Sequence, residues 1–65
     1  MKILILEARQ NKNITLAELA KMSGVGKTTI NNMEKEKVSP TLKELEAIAR
    51  ALDMHITDLF ESDYK

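Results

Sequence analysis

Gly24-Val25-Gly26-Lys27-Thr28-Thr29-Ile30-Asn31-Asn32-Met33-Glu34-Lys35 decides how the rest of the chain is read. It contains both glycines of the protein, two residues apart, and then a run without Gly or Pro. Apolar side chains fall at 25, 30 and 33, and small polar or cationic ones at 27, 28, 31, 32 and 35. On a 3.6-residue period 28, 31, 32 and 35 share one face, and 30, 33 and 34 share the opposite one. The pattern predicts a turn followed by a helix over 27–35, with a dry face for docking and a polar face for presentation. Gly24–Thr29 also resembles the end of a phosphate-binding loop. That motif requires Gly five residues before the Gly-Lys pair, and position 21 is Lys. It also requires a strand before it, for which a chain this short has no room, so the nucleotide-binding reading is set aside.

The flanks say which kind of turn this is. Thr15-Leu16-Ala17-Glu18 is a capping box, in which the Thr hydroxyl serves the backbone N–H of residue 18 and Glu18 reaches back. It opens a helix over 16–22 with Leu19 and Ala20 inward, stopped by Ser23-Gly24. Two short helices across a Gly-containing turn form the layout of a helix-turn-helix. Downstream, Val38-Ser39-Pro40 reads as a linker and Thr41-Leu42-Lys43-Glu44 as a second capping box. The helix that follows, 42–52, carries a stripe of Leu42, Leu45, Ile48, Ala49 and Leu52 and ends at Asp53. A short fifth helix at 56–61 returns Ile56, Leu59 and Phe60 to the core, and Ser62–Lys65 is a polar tail. Upstream, 2–12 reads as the first helix, with Ile5 and Ala8 inward and Asn13 as a left-handed end. Ile3 and Leu6 exceed one face. They cap the edge of a small core, form a self-association patch, or belong to an extended segment, since Ile-Leu-Ile-Leu also suits a strand. The expected architecture is all-α, five helices, one domain spanning 1–65.

Composition narrows the chemistry. Sixty-five residues bury only about 60% of the unfolded surface, so regular helix packing or a partner subunit must help. There is no Cys and one His, His55, so neither a disulfide nor a thiolate zinc site can form, and no cofactor is expected. No apolar run approaches the roughly 18 residues of a membrane span, and no signal-type cleavage site follows the first residues. A soluble, cytoplasmic protein is expected. No nucleophile–base pair is visible. Glu44 and Glu46 point to different sides of one helix, and His55 is a surface or capping residue, so the sequence supports no enzyme. Net charge is zero, but it is segregated: 9–43 hold seven Lys/Arg against three acids, and 44–65 hold two against six. One end can approach phosphates while the other avoids them. Glu34 falls on the inward side of its helix, where a carboxylate must be paired. Arg9, near the end of the first helix, is its candidate partner.

Taken together, Ile14-Thr15-Leu16-Ala17-Glu18-Leu19-Ala20, Ser23-Gly24-Val25-Gly26-Lys27-Thr28-Thr29-Ile30, Met33-Glu34-Lys35, Ser39-Pro40-Thr41-Leu42, Leu45–Leu52 and Leu59-Phe60 resemble the Xre/Cro/phage-repressor-like helix-turn-helix family. The resemblance covers about residues 5–60. It implies a lambda-repressor-like five-helix domain that binds double-stranded DNA as a homodimer and regulates transcription, most often as a repressor. It places helix 27–35 in the major groove. Carried over by position, it implies that Lys27, Thr28 and Asn32, with Asn31 on the flank, contact bases. Thr15, Lys35, Lys37, Ser39 and Lys43 fall where the family touches the DNA backbone. Arg9 and Glu34 match a structural salt bridge found in some members. For the dimer, the last helix and tail are expected to serve through Met54, Ile56, Phe60 and Tyr64, with Ile3 and Leu6 as the rival patch.

Three departures qualify the resemblance. Leu16 stands where many members carry a Gln that contacts the DNA backbone. Glu36 stands where the family often has Gly, and a left-handed Glu costs roughly 1 kcal/mol, so the end of helix 27–35 is expected to be shaped differently. Glu34 and Glu36 also dilute the positive face. Leu16 and the zero net charge favour the alternative reading, a helix-turn-helix turned towards a protein partner of antirepressor or antitoxin type.

Overall fold

The computed structural model describes residues 1–65. In chain order the elements are β1 (Lys2–Ile3), α1 (Ile5–Asn11), α2 (Leu16–Ser23), α3 (Lys27–Glu34), α4 (Leu42–Leu52), one 3-10 turn (Ile56–Leu59) and β2 (Phe60–Glu61). The domain is therefore four α-helices and a 3-10 turn, not five helices, and the two ends of the chain pair as an antiparallel two-stranded sheet.

Both corrections share a cause. A helix beginning at residue 2 would stack Ile3 and Leu6 on one outward face. As a strand, Ile3 pairs with Phe60 and turns into the core, where it is buried. Leu4 N–H then bonds Leu59 O at 2.8 Å, and α1 starts at Ile5 with Leu4 as a cap that supplies no side-chain bond. At the other end the pairing needs Phe60 extended (φ −155°, ψ 157°), which stops the helical turn after four residues. Ile56 and Thr57 are β-branched and offer little helix propensity to resist this. The turn is opened by Asp58, whose carboxylate accepts the His55 backbone N–H at 3.1 Å.

The core is eleven apolar residues with no buried polar side chain among them. Ile3 comes from β1, Ile5 and Ala8 from α1, Leu19 from α2, Ile30 and Met33 from α3, Leu45, Ile48, Ala49 and Leu52 from α4, and Leu59 from the 3-10 turn. Leu42 is a further correction: it begins α4 a full turn before its first buried residue and is 74% exposed. Leu16, by contrast, packs against the core. No helix is long and apolar enough to cross a membrane.

Helix ends follow local chemistry. Both expected capping boxes form: Glu18 N–H donates to Thr15 Oγ1 at 3.1 Å and Thr15 N–H to Glu18 Oε1 at 2.8 Å, and Thr41 and Glu44 repeat the arrangement. The Glu18 carboxyl is held below its ordinary value, chiefly because it accepts the Thr15 backbone N–H and also through the Thr15 side chain. Gly24 ends α2 with φ 77°, a conformation that favours glycine. Asn13, Glu36 and Asp53 end the other three helices at φ 55–57°. Glu36 thus takes the left-handed conformation the sequence argued against, and α3 closes in the same way as α1 and α4.

Candidate nucleic-acid interface

The turn between α2 and α3 is built from three residues. Ser23 Oγ accepts the Val25 N–H at 3.1 Å, Gly24 supplies the left-handed step, and Val25 packs against the core. Gly26 then caps α3 without a side-chain bond. Ile30 and Met33 are fully buried and anchor α3. Its other side is left to solvent: Lys27 and Thr28 are exposed, Asn31 and Asn32 half-buried, and Lys35 exposed just beyond its end.

Arg9 fixes the placement of α3. Its Nε donates to Glu34 Oε2 at 2.9 Å and its Nη2 to Glu34 Oε1 at 3.1 Å, a two-pronged ion pair. Nη1 donates to the Ile14 carbonyl at 3.1 Å, so the same guanidinium also holds the loop that leads into α2. The Arg9 and Glu34 side chains are 13% and 5% exposed. The hydrogen bond to Glu34 raises the Arg9 pKa above its already high value; burial opposes this, and the Glu34 charge adds to it. The Ile14 carbonyl had no signal in the sequence, because any residue could supply it.

The charge pattern around this face is sharper than composition suggested. All three acids between residues 9 and 43 accept intramolecular hydrogen bonds, Glu34 from Arg9 and the exposed Glu18 and Glu36 from the backbone N–H groups of Thr15 and Ile3. Lys27, Lys35, Lys37 and Lys43 take part in no ion pair; the pairs formed are Arg9–Glu34, Arg50–Glu46 and Lys65–Glu61. Lys35, Lys37, Ser39 and Lys43 are exposed, along the path from α3 to the start of α4. Thr15 is exposed, and because its oxygen accepts the Glu18 N–H, its own O–H remains available to a further acceptor.

Of the residues considered for self-association, Met54, Ile56 and Phe60 are half-buried against the core and Tyr64 is 98% exposed. Met54 and Ile56 line a shallow depression of about 390 Å³ with Ala49, Arg50 and His55. Of the rival patch, Ile3 is a core residue and Leu6 is half-buried.

A Gly-turn between two helices, the second anchored by apolar side chains and flanked by unpaired lysines, defines a helix-turn-helix DNA-binding domain. The chain belongs to the Xre/Cro-type helix-turn-helix family; the family model, described as helix-turn-helix, matches residues 5–59. It is 43% identical over 63 residues to an uncharacterized HTH-type transcriptional regulator of Archaeoglobus fulgidus, covering 97% of this chain and 89% of that protein. A second such regulator, from Methanothermobacter thermautotrophicus, is 44% identical over 64 residues, covering 97% and 93%. Among solved structures, the restriction-modification controller protein C.AhdI from Aeromonas hydrophila superposes with a TM-score of 0.82 at 27% identity, covering 86% of this chain and 85% of that one. The N-terminal DNA binding domain of SinR from Bacillus subtilis gives 0.81 at 27% identity, covering 94% and 90%. The protein is an HTH-type transcriptional regulator that binds DNA, and its family is not enzymatic.

Proposed function

We propose that the protein acts as a repressor, binding a pseudo-palindromic operator as a homodimer with α3 in the major groove. The observation that carries this reading is the solvent face of α3. Lys27, Thr28, Asn31 and Asn32 stand on a helix whose back is locked by Ile30, Met33 and the Arg9–Glu34 pair. Lys27 reaches guanine O6 and N7, Asn32 pairs with adenine N6 and N7, and Thr28 meets a thymine methyl, with Asn31 beside them. Thr15, Lys35, Lys37, Ser39 and Lys43 contact the backbone and set the register. Two copies associate through Met54, Ile56, Phe60 and Tyr64, which brings their α3 helices about 34–36 Å apart, one turn of DNA. Repression then follows from occupancy of the operator. Leu16 gives a protein-binding module little support, because its side chain is half-buried and packs against the core.

Selection of bound sites from random duplexes tests the whole reading. The expected product is two inverted half-sites one helical turn apart; a single unpaired site would remove the homodimer. With the selected operator, Lys27→Ala or Asn32→Ala should each cost about 1–3 kcal/mol and relax base preference at one position per half-site. An equal loss on every sequence would refute base reading.

A further inference from the structure

Three of the four helices end alike, and one of the three ends is anomalous. Asn13, Glu36 and Asp53 sit in the same left-handed position after α1, α3 and α4. Each donates its N–H back into the helix while the next residue does the same: Asn13 to Gln10 O and Ile14 to Arg9 O, Glu36 to Met33 O and Lys37 to Asn32 O, Asp53 to Arg50 O and Met54 to Ala49 O. Asn and Asp tolerate this conformation through their short polar side chains, whereas Glu does not share that tolerance. Glu36 is also the one of the three whose side chain bonds a distant partner: Oε1 accepts the Ile3 N–H at 3.3 Å, 33 residues away. That N–H has no strand to serve. Leu4 N–H faces β2, so by the alternation of a strand the Ile3 N–H points to the free edge of β1.

From this geometry we infer that Glu36 is a positioning residue for DNA binding. By accepting the Ile3 N–H, its carboxylate docks the end of α3 on β1 and turns its own charge away from the duplex. Lys35 and Lys37, on either side of it and unpaired, are thereby presented to phosphates. The inference rests on the proposal that this side of α3 faces DNA. It explains why a strained residue occupies a position where glycine would be easier: a glycine would close the helix but could not hold the strand.

The test compares Glu36→Gly, Glu36→Gln and Lys37→Ala in the intact protein. Two readouts are used: exchange of the Ile3 amide by NMR, and binding to a pool of random-sequence duplexes. Glycine relieves the backbone, so Glu36→Gly should unfold at or above the wild-type midpoint. Its Ile3 amide should nevertheless exchange about tenfold faster, and its affinity for duplex should fall about fivefold or more. Glu36→Gln keeps an acceptor oxygen and should stay within about twofold of wild type in both. Equal or tighter binding by Glu36→Gly, as expected if Glu36 merely repelled phosphate, would overturn the inference. So would an unchanged Ile3 amide. If Lys37→Ala binds as wild type, the DNA-facing placement is what has failed, and the Ile3 amide still reports separately on the tether.

Discussion

Arg9 makes three directed hydrogen bonds from one planar group, and no other cation has that shape. The pair it forms with Glu34 is mostly buried, so its removal leaves a carboxylate without a partner, whatever the net worth of the intact pair. Arg9→Ala should therefore cost about 3–5 kcal/mol of unfolding free energy. That is a large share of the roughly 3–10 kcal/mol available to a domain of this size. Arg9→Lys should recover only part, since a single ammonium cannot serve both Glu34 oxygens and the Ile14 carbonyl together. Urea denaturation of the three proteins decides it; a loss below about 1 kcal/mol for Arg9→Ala would mean that the pair behaves as a solvated one. Glu34 was legible as a carboxylate needing a partner because its position on the helix is fixed by Ile30 and Met33. Glu36 was not, because nothing local identifies a bond to an amide 33 residues earlier.

The helices of this domain are defined by their ends more than by their middles. α2 and α4 each begin in a reciprocal Thr–Glu box, and α2 ends at its glycine, so these boundaries were readable from neighbouring residues. The terminal strands were not. Each has two residues, and its partner lies at the opposite end of the chain, where no window of sequence can register the match. The same Ile-Leu-Ile-Leu run satisfies periods of 2 and 3.6, and only the presence of Phe60 decides between them. One cap and the end of β2 also carry a pH dependence. Glu18 titrates lower in the folded protein than in the unfolded chain, through its bonds to Thr15, and Glu61 does so through its hydrogen bond to Lys65. A depressed folded value means that both contributions are complete above the ordinary glutamate range, near pH 4.3, and fade as pH falls through the folded value. In Glu18→Gln the melting temperature should consequently fall less steeply below about pH 4.3 than in wild type. Parallel curves would show that the box adds no proton-linked stability.

At the scale of the whole molecule, zero net charge and DNA binding are reconciled by segregation and by occupation. Among residues 9–43 Glu34 is paired with Arg9, and Glu18 and Glu36 accept backbone N–H groups, while Lys35, Lys37 and Lys43 form no ion pair. α4 makes the separation testable, because its two ends belong to different poles. Lys43 lies in its first turn and Asp53 at its far end, and a separation of ten residues along the helix puts roughly 15 Å between them. That exceeds the screening length of about 10 Å at 0.1 M salt. In the proposed dimer, phosphate contacts from Lys35, Lys37 and Lys43 of each copy would number six and would give a slope of about −5 for log affinity against log salt. Lys43→Ala should flatten the slope to about −3.5, two contacts fewer. Asp53→Asn also changes the net charge by one unit per chain, and Asn keeps the left-handed end of α4 accessible, yet it should leave the slope unaltered. Titrations across salt for the three proteins separate a binding face from a charge total. If Asp53→Asn steepened the slope as much as Lys43→Ala flattened it, phosphate would be responding to the molecule's overall charge, and the free lysines beside α3 would have no special standing.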